Sequence, residues 1–178
     1  YRGLVGSEMC IRDRFFTHNA IAQISSDQFY TPVNTGSNMT IGVNTDDLVD
    51  FIGGYLAAFN SEGTCIGLEI IQNQFFSMAI WGDDTGTQEI DGLQDGESAS
   101  FAVLSSDGRV ITIAELVNFN GYITNALVVT NAITLSGCTN DEFLEFHTQG
   151  YTADVDNGSC STNISVSYTH LTLPTSVP

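Results

Sequence analysis

The chain contains no lysine, and its four basic side chains are all arginines set against 21 acids, giving a formal net charge of −17. A surface of that sign repels phosphate backbones and anionic headgroups, which excludes nucleic acid and membrane surfaces as natural partners. Long apolar runs are missing too: no stretch approaches the roughly 20 residues that a spanning helix needs, so no membrane insertion is expected. No Cys-x-x-Cys pair or His/Cys spacing suits zinc. No Gly-x-Ser-x-Gly elbow presents a nucleophile, and neither a phosphate loop nor a dinucleotide fingerprint occurs. His18 and His147 have no evident Ser or Cys partner in sequence. No residue is therefore assigned as catalytic, and the chain reads as a non-enzyme.

What remains is a folded domain. Hydrophobic residues make up 42% and charged residues only 14%, so the polar surface rests on Asn, Thr, Ser, Gln and Gly and the chain is no disordered acidic tail. Turn-forming clusters such as NSEG, GDDTG, LQDGE and SSDG punctuate short β-rich runs. The runs are NMTIGVN (38–44), GYLAAF (54–59), TCIGLEI (64–70), FFSMAIW (75–81), SASFAVL (98–104), RVITIAEL (109–116), YITNALVV (122–129) and NAITL (131–135). SSDG at 105–108 is the best hairpin signal. Only TDDLVDFIG (45–53) suggests a helical turn, with Thr45 as its cap and Asp46 and Asp47 at the positive end of its dipole. Short strands at even spacing predict an all-β fold, an antiparallel β-sandwich or jelly roll over 38–136. Its expected core is Ile41, Leu56, Ala58, Ile66, Leu68, Phe76, Met78, Ile80, Phe101, Val103, Ile111 and Ile113, with Trp81 at an edge. Residues 15–37 suit a linker or a first edge strand.

After Leu135 the composition shifts, and a small unit follows at 137–160. Cys138 and Cys160 bracket this short, core-poor, acidic segment, which reads as a disulfide-closed loop and hence an oxidising compartment. Cys65 stands alone in an expected strand and reads as a buried small hydrophobe.

Two kinds of resemblance add to this. YRGLVGSEMCIRDR (1–14) and VSYTHLTLPTSVP (166–178) resemble translated sequencing-adapter read-through; Arg2, Arg12 and Arg14 all lie in the first segment. The ends, 1–14 and much of 161–178, are thus set apart from the fold as artefactual or disordered, and the natural protein is expected to be longer. GCTNDEFLEFHTQGYTADVDNGSC resembles a short cysteine repeat near the ends of large secreted proteins of environmental bacteria. Gly137, Cys138 and Thr139 match its opening, and Asp156, Gly158, Ser159 and Cys160 its close, while Phe143, Leu144, Phe146 and Asn157 depart from it. GGYLAAFNSEGTCIG with FSMAIWGDDTGTQEIDGLQDGESASF is similar to a sandwich domain of the same kinds of protein. These resemblances imply an extracellular or cell-surface module and no particular activity.

Two acidic constellations carry the candidate chemistry. ADVDNGS places Asp154, Asp156 and Asn157 close together with a Gly permitting a tight bend, the opening half of a calcium loop without its closing acid. The same residues suit plain Asx turns. WGDDTGTQEIDGLQDGE gathers Asp83, Asp84, Glu89, Asp91, Asp95 and Glu97, whose mutual repulsion a hard cation would relieve and solvent salt would also screen. Trp81, with Tyr55 or Tyr122, is the candidate sugar-stacking platform; a Trp in such a run also suits a core. The expected function is a non-catalytic module for adhesion or glycan binding, with a glycan or a neighbouring surface protein as partner. A purely structural spacer is the alternative, and a glycoside-active enzyme comes third.

Overall fold

The structure, a computed structural model, describes residues 24–88 and 90–164. The adapter-like ends, His18 and Glu89 lie outside those residues. The described residues form two sheets. One holds β4 (Phe75–Trp81), β1 (Asn38–Asn44) and β7 (Leu127–Thr130), in that order. The other runs β3 (Cys65–Ile70), β2 (Tyr55–Phe59), β5 (Ser100–Leu104), β6 (Val110–Leu116), β8 (Ile133–Gly137) and β9 (Val155–Asp156).

Alternation builds the core. Met39, Ile41 and Val43 of β1 and Met78 and Ile80 of β4 face Leu56, Ala58, Phe101, Val103, Ile111 and Ile113 of the larger sheet in one buried cluster. This is a β-sandwich. Its division into three and six strands lacks the paired four-stranded sheets of a jelly roll. Most pairs are antiparallel as expected, but β1–β7 and β8–β9 are parallel. The β5–β6 hairpin turns at SSDG, with Gly108 at φ 87° and its N–H on the Ser105 carbonyl. The 45–53 segment is one short 3-10 turn, Val49–Phe51. Thr45 accepts the Asp47 N–H, and Asp47 in turn accepts the Ile133 N–H at 2.8 Å, tying the turn to the start of β8.

Three expectations need correction. Leu68 lies in a second cluster on the outer face of the six-stranded sheet, with Ile24, Ala57, Phe59, Cys65 and Ala102. A bulge between Ala58 and Phe59 of β2 pairs Ala57 with Leu68 and Phe59 with Cys65, leaving Ile66 extra and flipping the side-chain parity of the strand. Secondly, YITNALVV is a strand only at its end. Asn125 takes φ 60°, a conformation Asn tolerates, and the chain turns before Leu127. Thirdly, 24–37 holds no strand, and the rest of the 15–37 segment, 15–23, lies outside the described residues. The 24–37 stretch carries a short 3-10 turn, Ser26–Gln28, and covers the second cluster, with Phe29 edge-on to Phe59 at 5.4 Å.

The C-terminal segment is built onto the sandwich. Cys138 and Cys160 are joined by a disulfide. Tyr151 donates its hydroxyl to the Ser136 carbonyl at 2.7 Å and meets Phe51 edge-on, and the Arg109 guanidinium reaches the Gln149 carbonyl. One short helix, α1 (Leu144–Thr148), which the sequence pattern did not announce, packs within this unit. No helix among the described residues is long and apolar enough to cross a membrane.

Candidate functional site

Strand parity defines the outward face of the three-stranded sheet. In β4, Phe76, Met78 and Ile80 turn to the core, so Phe75, Ser77, Ala79 and Trp81 turn away from it. Register sets Asn38 beside Trp81, Thr40 beside Ala79, Gly42 beside Ser77 and Asn44 beside Phe75. On the other flank of β1, Leu127 and Val129 stand beside Thr40 and Gly42. None of these ten residues is charged. Phe75 is 64% exposed and Leu127 69%, while Trp81 is half-buried at the end of the strand.

The expected aromatic trio does not assemble. Tyr55 is 40% exposed but belongs to the other sheet, in register with Ile70 beside the 71–74 connection. Trp81 stands at the far end of β4, six residues beyond Phe75, or roughly 20 Å at the rise of a strand. Tyr122 is only 1% exposed, so the expectation of a stacking ring there is corrected. It serves as the anchor beneath the acidic loop. Its hydroxyl lies 3.2 Å from Ser37 Oγ, its N–H donates to the Glu97 carbonyl and its carbonyl accepts the Gly96 N–H. Gly82 fits because it lacks a Cβ, which would fall inside contact distance of the Tyr122 ring and hydroxyl. The aromatic that shares the outward face with Trp81 is Phe75, and period-2 counting back from Trp81 reaches it. Choosing tyrosines by residue type alone does not.

Beyond Trp81 the acidic loop folds back on itself. The Asp83 N–H donates to the Leu93 carbonyl at 2.9 Å, and Leu93 is buried. Asp83 Oδ1 accepts the Asp91 N–H at 3.2 Å, and Asp91 Oδ1 accepts the Asp84 N–H at 3.0 Å. Asp84 Oδ1 takes the Gly86 N–H, Glu97 Oε2 the Gln94 N–H, and Asp95 Oδ1 both the N–H and the hydroxyl of Thr124. These carboxylates thus organise the backbone, each through one oxygen. Asp83, Asp84 and Asp95 line a groove of about 620 Å³ together with Thr35, Gly36, Ser37 and Thr124.

The second constellation is likewise spent on its own backbone. Asp156 Oδ1 accepts the Gly158 N–H and Asn157 Oδ1 the Ser159 N–H, each at 3.0 Å, as Asx turns do. Asp154 faces elsewhere: its Oδ2 accepts the Leu135 N–H at 2.8 Å and extends the edge of β8. Among the described residues, no group of three or more His, Cys, Asp or Glu is placed to hold one metal ion.

A second concavity, missed by the sequence reading, lies beside β5, β6 and β9. It measures about 640 Å³ and is lined by residues that include Ser100, Thr112, Ala114, Phe119 and Val155 to Asn157. No local motif marks it, because β9 reaches it only through the disulfide-closed unit. Comparison of the chain with protein-family models, curated proteins and solved structures finds no match.

Proposed function

We propose that the chain is a non-catalytic extracellular module of a larger secreted or surface-anchored protein, and that it binds glycan at the outward face of β1, β4 and β7. One observation carries this reading: Trp81 turns outward on an exposed sheet face without charge, in a molecule otherwise dense in carboxylates. Sugars present apolar C–H faces that stack on aromatic rings, and their hydroxyls pair with small polar side chains such as Asn38, Thr40 and Ser77. The Cys138–Cys160 disulfide supports the extracellular setting, since such bonds persist in oxidising compartments.

A structural spacer is the second reading. It is favoured by the disulfide-closed unit, whose acids go into turns and strand edges. A glycan array probed with wild type and Trp81→Ala separates the two. Binding reading predicts signal on a set of sugars that the variant loses; silence across the whole array leaves the spacer.

A further inference from the structure

We infer that this face is a platform for an extended chain of neutral polysaccharide lying along β4, with Phe75 as a second stacking ring beside Trp81. The inference rests on the glycan reading and adds to it the ligand class and its footprint. Phe75 is 64% exposed, and Leu127 and Val129 on the same face are 69% and 50% exposed, so the face presents several apolar side chains to solvent. It shares the outward parity of Trp81 on one strand, and the two rings stand roughly 20 Å apart at strand rise. A single sugar cannot reach both; a chain of several units can. Between them lie Ser77 and Ala79, with Thr40 and Gly42 alongside, so no bulky side chain rises between the rings.

Charge selects the class of chain. The protein's −17 field opposes an anionic polysaccharide, and the ten outward residues of the face hold no carboxylate to draw a cationic one along it; the acids that border it at Phe75, Asp46 and Asp47, lie at its rim. A neutral chain desolvates no ion there. A second copy of this protein fits poorly. Two strands of seven residues and one of four fit within a patch of roughly 14 by 23 Å, a few hundred Å² at most against the roughly 800 Å² per partner of a stable interface. Two such copies would also repel.

The test is affinity electrophoresis and calorimetry with a soluble neutral polysaccharide (hydroxyethylcellulose or galactomannan), against polygalacturonate and chitosan. Phe75→Ala is the central variant, since a ring so exposed contributes little to folding. Trp81→Phe keeps a ring where Trp81→Ala risks the fold, and thermal melting checks each. The expected result is neutral-chain binding little changed by salt, weakened about tenfold to a hundredfold by Phe75→Ala and by Trp81→Ala, and partly kept by Trp81→Phe. If Trp81→Ala loses binding while Phe75→Ala binds like wild type, the extended-chain inference falls and the glycan reading stands. If no sugar polymer binds, both fall. Retention on chitosan alone, abolished by salt, overturns the neutral class. A wild-type dimer that Phe75→Ala converts to monomer overturns the platform, because a second copy then covers it.

Discussion

Single residues show where backbone and side chain leave no slack. Gly82 closes β4 against the buried Tyr122, and Gly92 lies against the Gly82 backbone where the acidic loop returns. An added methyl at 82 must displace a buried ring, so Gly82→Ala is expected to destabilise the fold by about 1–3 kcal/mol. Urea denaturation at constant m-value measures it; an unchanged midpoint would mean that Tyr122 moves freely. Cys65 behaves as its strand setting suggested. It is buried, its thiol reaches the Gly67 carbonyl, and burial pushes its pKa up. Its run of apolar neighbours was visible in TCIGLEI. Tyr122 was not legible in the same way, because the alternation of YITNALVV continues through the Asn125 turn and hides the break.

At the scale of elements, turn chemistry made most of the strands readable. Their ends moved by a residue or two where tertiary pairing, not local pattern, decides. Short pieces escaped. β9 is two residues long and exists only because the disulfide-closed segment is held against β8. The bulge in β3 escaped too, since parity within one strand cannot reveal an extra residue relative to its partner. The cysteine pairing was legible from spacing and composition. Closing a loop with a sequence separation of 22 restricts the unfolded chain, and the entropic estimate is about 3 kcal/mol. Cys138→Ser with Cys160→Ser should lower stability by about that amount in chemical denaturation under non-reducing conditions. Equal midpoints for variant and wild type would contradict the covalent clip.

The same unit carries a pH dependence. Glu145 in α1 accepts the Ser161 hydroxyl at 2.6 Å and the N–H groups of Ser161 and Thr162, fastening the chain beyond Cys160. The Ser161 hydroxyl, then the Thr162 contacts, hold its carboxyl far below the ordinary carboxylate range. Folding therefore favours the ionised form. Its stabilising effect is fully present above the unfolded value, roughly 4.3, and is lost as pH falls through the depressed folded value. Melting temperatures of wild type and Glu145→Gln should differ at neutral pH and converge under strong acid. A constant difference down to pH 2 would assign the effect to packing instead.

For the whole molecule, one sheet face stands apart from an acidic exterior. The six-stranded sheet is covered in part on its outer side by 24–30, whereas the three-stranded sheet leaves Phe75, Leu127 and Val129 in the open. That asymmetry could not be read from composition, which averages over both sheets; it follows from which strands pair and which face each residue takes. The central claim is that this face, and not the groove beside β9, meets ligand. Amide chemical-shift mapping with the best sugar from the array tests it most directly. The account predicts shifts in 38–44, 75–81 and 127–130, centred on Trp81 and Phe75. Shifts confined to Thr112, Ser136 and Val155, with the Trp81 indole unmoved, would contradict it.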